Sequence, residues 1–392
     1  MSYHCKLSKL SLMFDMSGMV KYCPFSTDWL KDKDGRHFNV ATDDLKDIWN
    51  SEHHKKLMSL HDRGIKLPSC SQCIISEEAG VKSNRQQYNK ELKDVEALDS
   101  QPRVLVVKPG NVCNNACRSC NAHTSSMWYK DDYALNDQGK TYKEYLEFFK
   151  THKTAYKDNK VIEKTLGDWE DNIVFWSMYG GEPMLAPLTF KILEQALKSK
   201  TISEKRFMLH TNGMIYKEDL VEKLSHFKHS DFAFSVDAIG EKNDYIRHGS
   251  KWKDILNNLE KYHKDVKKYP NVDMEIRLTY TPLNIFYYDE SFEFFQKMGL
   301  SATGYWCDDK PWNDIRYLPQ KVKDAVMKKM YAHQSDSKLW KRRIDELETW
   351  MMTSPKDHTI KQNSFMTFNN KLDKIRNEKF DAVFPEYSQF FK

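Results

Sequence analysis

Three features that would indicate a membrane protein, a secreted protein or a nucleic-acid-binding protein are missing from this 392-residue sequence. It contains no apolar run long enough to cross a bilayer, and its first residues lack the apolar core of a signal peptide. No basic stripe with interleaved aromatic residues marks a nucleic-acid-binding face. We therefore expect a cytoplasmic protein without a membrane or nucleic-acid partner.

Charge is also nearly balanced, because 61 Lys and Arg stand against 56 Asp and Glu, for a net charge of +5. A balance this close gives no reason to expect a strongly acidic or basic partner. Hydrophobic residues make up 40% of the chain and charged residues 30%. This composition is typical of a folded protein with a sizeable core.

Eight cysteines are the first informative feature that the sequence does contain. They are Cys5, Cys23, Cys70, Cys73, Cys113, Cys117, Cys120 and Cys307. In a reducing compartment, spacings as close as C-x-x-C and C-x3-C-x2-C indicate metal sites rather than disulfides. Spacing alone leaves two metals open. With His123 the second group matches a three-cysteine zinc site, and the four N-terminal cysteines match a zinc ribbon.

The middle of the chain alternates strand-like apolar runs with helical patterns. The runs lie at 104–107, 173–178, 206–210, 232–236, 273–280 and 302–306. Such alternation indicates βαβ units, and therefore an α/β fold with a parallel sheet of six strands. Periodicity does not choose between a partial barrel and an open, doubly wound sheet.

The two ends of the chain differ from this middle part. The N-terminal part shows few strand signals, and we predict one helix from Thr42 to about Asp62 and a polar helix over 86–98. After Pro319 the chain has the pattern of amphipathic helices. We predict three units, which are residues 1–100, 101–320 and 321–392.

Polar or glycine-rich motifs follow successive predicted strands. In α/β folds the loops at the carboxyl ends of strands form the active face, and the run 113–120 directly follows the first strand. Glycines let backbone approach a ligand, a Glu carboxylate accepts from an ammonium group, and an Arg fork suits a carboxylate. The other motif residues are Gly180, Gly181, Glu182 and Pro183 after the second strand, Asn212 after the third, Ser235 and Asp237 ending the fourth, Arg247, and Asn284 after the fifth.

Taken in chain order, these motifs resemble the signature of the radical S-adenosylmethionine (SAM) superfamily. The resemblance implies a partial (β/α)6 TIM-type barrel. It also implies a [4Fe-4S] cluster that is bound by Cys113, Cys117 and Cys120 and whose remaining iron binds SAM. Ser119 departs from the bulky residue that is usual before the third cysteine, so the expected contact with adenine is altered.

The same resemblance implies a SAM pocket at the strand ends. Its expected members are Gly180, Gly181, Glu182 and Pro183 for the amino group, Ser235, Asp237 and Arg247 for the ribose and carboxylate, and Asn212 and Asn284 as further SAM-contacting positions. Each motif alone is weak, since a Gly-Gly pair is usually a turn and Ser-x-Asp is often a helix cap. Their agreement in order is what favours the family.

Residues 1–100 resemble a second module, the twitch or SPASM type of auxiliary-cluster domain. The resemblance implies that Cys5, Cys23, Cys70 and Cys73 saturate a second [4Fe-4S] cluster. In the best-known relatives this module follows the barrel, whereas here it precedes it. A zinc ribbon of the same four cysteines is the alternative.

The radical SAM resemblance implies reductive cleavage of SAM to methionine and a 5′-deoxyadenosyl radical, which abstracts a hydrogen atom from the substrate. An external electron donor of the flavodoxin or ferredoxin type is expected, and the auxiliary cluster is expected to accept or relay an electron after the abstraction.

Auxiliary modules of this kind are associated with peptide modification, so we expect an oxidoreductase or maturase acting on a peptide or protein side chain. A small molecule or nucleotide is the alternative substrate, and a non-catalytic zinc scaffold is the alternative of another class. Cys307 either donates a hydrogen atom to a substrate radical or is an inert core cysteine.

Overall fold

A parallel sheet organises the chain in the computed structural model, which describes residues 3–136, 139–150, 160–307, 310–333, 337–353 and 364–391. Its strands are β1 (Ser11–Phe14), β2 (Val20–Lys21), β3 (Val104–Val107), β4 (Phe175–Met178), β5 (Arg206–Thr211), β6 (His229–Ser235), β7 (Val272–Tyr280) and β8 (Ser301–Trp306). The order is β2-β1-β3-β4-β5-β6-β7-β8. Every neighbouring pair is parallel except β1 and β2.

The six predicted strands are all present as β3 to β8, and consecutive strands lie side by side. The prediction of an α/β fold with a six-strand parallel core is therefore confirmed. The sheet is larger than predicted, because β1 from the N-terminal part pairs with β3 in the register Ser11 with Val104. The N-terminal hundred residues thus share the sheet and its core with the rest of the chain. The predicted unit boundaries stay predictions.

Helices alternate with the strands and cover the ends of the chain. In the N-terminal part they are α1 (Lys6–Leu10), α2 (Leu45–Asn50), α3 (Glu52–Asp62), α4 (Ser71–Glu78) and α5 (Asn84–Glu91). Between β3 and β8 they are α6 (Tyr129–Leu135), α7 (Tyr142–Phe148), α8 (Lys160–Trp169), α9 (Pro187–Ala196), α10 (Leu220–Ser225), α11 (Gly240–Ile246), α12 (Trp252–Val266) and α13 (Tyr288–Lys297). After β8 they are α14 (Gln320–Ala332), α15 (Lys338–Met352), α16 (Ser364–Arg376), α17 (Phe380–Val383) and α18 (Pro385–Ser388). The predicted helical C-terminal extension is confirmed. No helix in these described ranges is long and apolar enough to cross a membrane.

Two N-terminal helices are shorter than predicted. The expected single helix over 42–62 is broken at Ser51, which has extended backbone angles and caps α3 by accepting a hydrogen bond from the His54 amide. A serine at this point satisfies an amide at the start of a new helix, so the chain restarts rather than continues. The predicted polar helix 86–98 ends at Glu91.

The two faces of the sheet differ in chemistry, and β7 shows this most clearly. Its even-numbered residues are apolar and buried, whereas Asp273, Glu275, Arg277 and Thr279 alternate with them and are more exposed. Strands of a parallel sheet that is covered on both faces are normally apolar on both. The alternation therefore indicates that one face lines a polar space, which we call the inner face.

Candidate cofactor sites

The loop after β3 carries Cys113, Cys117 and Cys120 at the carboxyl end of the sheet. We call residues 110–126 the cluster loop. Its backbone is held by the segment after α11, because the Ala116 amide donates to the His248 carbonyl and the Arg118 amide donates to the Ile246 carbonyl, both at 2.7 Å. The cluster loop is thus fixed by backbone contacts, and its three thiols lie at the carboxyl end of β3.

The three thiols of the cluster loop differ in how readily they lose a proton. The Asn115 amide donates to the Cys113 sulfur at 3.4 Å, and the Asn212 side-chain amide lies 4.0 Å from the same sulfur. Burial nevertheless raises the pKa of the Cys113 thiol to about 11, and the hydrogen bond to Cys117 together with burial raises the pKa of Cys120. The same hydrogen bond lowers the pKa of Cys117 to about 7, and the nearby Arg247 charge acts in the same direction. A bound metal would deprotonate all three thiols outright.

Gly180 and Gly181 bring the loop after β4 into contact with the cluster loop. Both have positive φ angles, +92° and +57°. A side chain at Gly181 would place its Cβ 2.7 Å from the Gly110 carbonyl oxygen and 2.8 Å from that of Val112. Only glycine combines this conformation with this approach. The predicted GGEP segment therefore meets the cluster loop directly, with Pro183 starting a buried turn just behind it.

Glu182 is buried, and its carboxylate is engaged by the chain itself. It accepts hydrogen bonds from the Met184 amide, the Thr211 hydroxyl and the Asn212 amide at 2.7–3.0 Å. Burial raises the pKa of Glu182, and these donors oppose that effect. The carboxylate thus ties the β4 and β5 loops together, while binding of an ammonium group by this segment stays a prediction.

Asp237 and Arg247 form a buried ion pair beside the cluster loop. The Arg247 Nη1 donates to the Asp237 Oδ2 at 2.7 Å, and the other Asp237 oxygen accepts from the Thr279 amide. Asn284 supports the pair, since its side chain donates to the Asp237 and Thr279 carbonyls. Ser235 precedes this group at the end of β6. The structure therefore brings these four predicted residues together.

Orphaned polar atoms at this place provide a test of whether a cofactor fits. The buried Arg247 Nε and both side-chain polar atoms of Asn115 have no hydrogen-bond partner among the described residues. Buried polar groups are nearly always hydrogen-bonded, so these atoms are available to pair with a bound ligand. Donors beside thiols and a guanidinium beside a glycine-rich turn fit a thiolate-bound cluster with an anionic, carboxylate-bearing ligand.

The second group of cysteines also comes together. Cys5, Cys23, Cys70 and Cys73 line one small cavity beneath α4. Burial raises the pKa of Cys73 to about 11, and the neighbouring Cys5 and Cys70 charges add to the effect. The four thiols are therefore neutral without a metal, and a metal bound among them would hold them as thiolates.

The spacing of the sulfurs does not choose between the two metals left open by the sequence. Cys117 and Cys120 are close enough for a side-chain hydrogen bond, whereas no three cysteine sulfurs of the described residues lie within 4.8 Å of one another.

A polar chamber of about 560 Å³ lies against the inner face of the sheet, and sequence reasoning missed it. Its floor carries Arg206, Asp231, Glu275 and Arg277, and its walls come from α4, α5 and α15. The volume is within the range of ligand sites in proteins. In the strand register, Arg277 is paired with Ser235 of the predicted SAM pocket. The chamber and the pocket therefore share one face of the sheet.

Two residues relate this chamber to the cysteines. Phe25 lines both the chamber and the N-terminal cysteine cavity. Cys307 is half-buried and directly follows β8, whose residues 303–306 line the chamber. A hydrogen-donor role for Cys307 stays a prediction. The sequence does contain a pattern that could have predicted the chamber, because polar and apolar residues alternate strictly over 272–280.

Comparison with protein families now identifies the class. A sequence model of the radical SAM superfamily matches residues 107–278. A model of the SPASM iron–sulfur cluster-binding domain matches residues 5–74. Residues 107–278 are therefore similar to the radical SAM superfamily, and the segment before them is similar to a SPASM iron–sulfur domain. The predicted cofactors, [4Fe-4S] clusters and SAM, are those of these two domains.

Solved structures add distant similarities. The chain matches "Native anSMEcpe with bound AdoMet" at 20% identity and a TM-score of 0.41, over 59% of this chain and 60% of that one. It matches Streptococcus suis SuiB bound to S-adenosylmethionine at 15% identity and a TM-score of 0.38, over 77% and 63%. For SuiB bound to the precursor peptide SuiA the values are 15% and 0.38, over 88% and 69%. The match thus spans about three fifths of anSMEcpe. No curated protein matches the chain.

Proposed function

We propose that this protein is a radical SAM enzyme that oxidises a side chain of a peptide or protein. When bound, the reduced cluster and SAM would supply a 5′-deoxyadenosyl radical that abstracts hydrogen from the substrate. The observation that carries the proposal is the chamber, which shares the inner face with the predicted SAM pocket and has Phe25 in common with the auxiliary cysteine cavity.

The chain's own residues would position the cofactors. Cys113, Cys117 and Cys120 provide three thiolates and leave one iron for SAM. The orphaned Arg247 Nε is available to a carboxylate, and its pair with Asp237 fixes the guanidinium in place. Gly180 and Gly181 let the loop after β4 pack directly against Lys108 and the cluster loop, which would fix this segment beside the cofactors.

The charged floor of the chamber supports a polar substrate segment. Arg277 is bonded to Glu275, and Arg206 is bonded to Asp231 and Glu91. Paired charges of both signs can bind the amide groups and charged side chains of a polypeptide. A small polar molecule, which would also fit a chamber of this size, is the second candidate substrate.

A cluster held by the auxiliary cysteines would take the electron that the substrate radical loses, together with loss of a proton from the substrate to solvent. All four thiolates come from the chain, so a cluster there has no open iron and serves electron transfer rather than SAM binding. An external one-electron donor is required for the SAM-binding cluster. Thiol-bound clusters and eight free cysteines support a reducing, cytosolic location.

Iron analysis tests the cofactor part of the proposal. Protein purified without oxygen is expected to hold about eight irons and eight sulfides, and the Cys117→Ala and Cys73→Ala variants about four each. With a reductant and SAM, the wild type and Cys73→Ala are expected to release 5′-deoxyadenosine, whereas Cys117→Ala is not. Stoichiometric zinc in place of iron after anaerobic reconstitution would contradict the proposal.

The substrate class is tested separately by stimulation of SAM cleavage. A pool of random peptides is expected to accelerate 5′-deoxyadenosine release and to yield products that are lighter by hydrogen atoms in mass spectra. A matched pool of nucleotides and small metabolites is the control. Acceleration by the control pool alone would identify a small-molecule enzyme.

A further inference from the structure

Arg118 lies between two cluster ligands and is fully buried. It directly follows Cys117, and its relative exposure is 0%. Its guanidinium stacks on the Tyr245 ring at 3.7 Å, and its Nε donates to the Tyr245 carbonyl. Burying a guanidinium is unfavourable unless its N–H groups are hydrogen-bonded, so the acceptors of the remaining Arg118 donors keep it in this position.

Those donors bind the C-terminal helices. Nη1 of Arg118 donates to the Asn369 side chain, and Nη2 donates to the carboxylates of Asp373 and Glu378. These partners lie in and just after α16, about 250 residues further along the chain. The carboxylates are fixed in turn: Asp373 accepts from the Tyr245 hydroxyl and the Phe380 amide, and His248 bonds Glu378.

A second arginine makes the reciprocal contact. Arg376 of α16 donates to the carbonyl of Ala116, the residue before Cys117, at 2.9 Å. It is held by Asp131 and lies over the Trp128 ring, and the Trp128 indole donates to the Cys117 carbonyl at 2.7 Å. Side-chain hydrogen bonds therefore connect α16 to Ala116 and Arg118, the residues directly before and after Cys117.

We propose that α16 and Glu378 form a clasp that sets the position of Cys117, and hence of the cluster and its SAM-binding iron. Arg118 and Arg376 act as positioning residues, and the C-terminal extension is part of the active centre. This inference rests on the cluster at the three cysteines, which is part of the proposed function. It does not depend on the substrate.

Full-length variants test the clasp on both of its sides. Arg118→Met and Arg376→Met remove the charge with little loss of volume, and Arg118→Lys keeps the charge without the fork. The matched control is Arg316→Met, since Arg316 is an equally buried arginine paired with Asp314 outside the cluster loop. Residues that orient metal ligands typically change metal affinity by about 10- to 100-fold.

The readout is iron release to a chelator, together with the electron paramagnetic resonance spectrum of the reduced protein with and without SAM. Arg118→Met and Arg376→Met are expected to release about half of the iron roughly 10- to 100-fold faster than wild type. Their spectra are expected to lose the change that SAM causes, with Arg118→Lys intermediate and Arg316→Met unchanged. Wild-type release and an intact SAM response in both methionine variants would overturn the clasp.

Milder variants decide the outcome if Arg118→Met fails to fold. Asn369→Ala removes one partner and Glu378→Gln removes one charge, and each is expected to speed release of the same half of the iron. Equal release from both cysteine sites in these variants would overturn the proposal. A wild-type protein that binds no iron would instead refute the proposed function itself.

Discussion

Gly304 of β8 shows how closely the strands are packed beside the chamber. A Cβ at this position would lie 1.8 Å from the Tyr280 ring of the neighbouring strand β7. That ring in turn packs on Trp306 at 5.0 Å between centroids. The glycine is therefore required by the space that Tyr280 occupies, because a ring held on both sides cannot move away.

We predict that Gly304→Ala lowers the free energy of unfolding by about 1–3 kcal/mol, since overpacking forces side chains from their preferred rotamers. The measurement is urea unfolding of protein carrying its clusters. The control is Gly304→Ala made in the Tyr280→Leu variant. There the alanine is expected to reduce the free energy of unfolding by less, because the tyrosine ring is absent. An identical cost in both backgrounds would show that the contact is not the cause.

At the residue level, the sequence supports most of the candidate site. Cys113, Cys117 and Cys120 come together with Asn212, Asp237 and Arg247 because their motifs follow strands at one edge of the sheet. The four N-terminal cysteines line a separate cavity. The engagement of Glu182 by three internal donors could not be predicted, since it depends on how two loops meet in space. Arg118 was missed because nothing in its local sequence distinguishes it from an exposed arginine.

At the level of elements, α3 carries a buried histidine near its start. The His54 Nδ1 donates to the Trp49 carbonyl at 2.7 Å, and its ring packs on Trp49 at 4.4 Å. Burial lowers the pKa of His54 to about 4, although the hydrogen bond to Trp49 opposes this. A histidine whose pKa is lower in the folded state stabilises the fold above its unfolded pKa of about 6.5 and loses that contribution as pH falls towards 4.

We predict that the free energy required to open α3 falls by about 1.4 kcal/mol when the pH is lowered from 7.5 to 5.5, because of His54 alone. The measurement is amide hydrogen exchange across α3 at the two pH values. His54→Asn keeps a donor to the Trp49 carbonyl but has no titrating group, so its pH dependence is expected to be flatter. Equal pH dependence in the two proteins would assign the loss to other groups.

Elements of the barrel were easier to predict than those of the N-terminal part. β3 to β8 are apolar runs flanked by helical patterns, so their type was clear from the sequence. β1 and β2 are only four and two residues long and acquire their structure by pairing, β1 with β3 and β2 with β1. Tertiary pairing of this kind leaves little local signal.

At the scale of the whole molecule, the chamber joins the three parts of the chain. Arg277 lies on its floor, where it is bonded to Glu275 and stacks on Tyr305. It is in register with Ser235, and among the described residues its side chain hydrogen-bonds to Glu275 rather than to a cysteine. A residue so placed is expected to affect the substrate rather than the cleavage of SAM.

We predict that Arg277→Gln lowers substrate-dependent turnover about 10- to 100-fold, the cost of a lost charged hydrogen bond of about 1.5–3 kcal/mol. Iron content and SAM cleavage without substrate are expected to stay unchanged. The control is Lys268→Gln, an exposed ion-pair lysine distant from the inner face. A parallel fall in SAM cleavage without substrate would make Arg277 part of the SAM pocket.

The clasp between α16 and the cluster loop also imposes an order on biosynthesis. The ribosome has translated all four auxiliary cysteines once it reaches residue 73. Arg118 can contact Asp373 only after a further 255 residues have been added to the chain. At roughly 5–20 residues per second, the cluster loop leaves the ribosome about 13–50 s before its clasp exists. Iron insertion at the SAM-binding site is therefore secured only after translation has passed α16, while the auxiliary site is available to the assembly machinery much earlier.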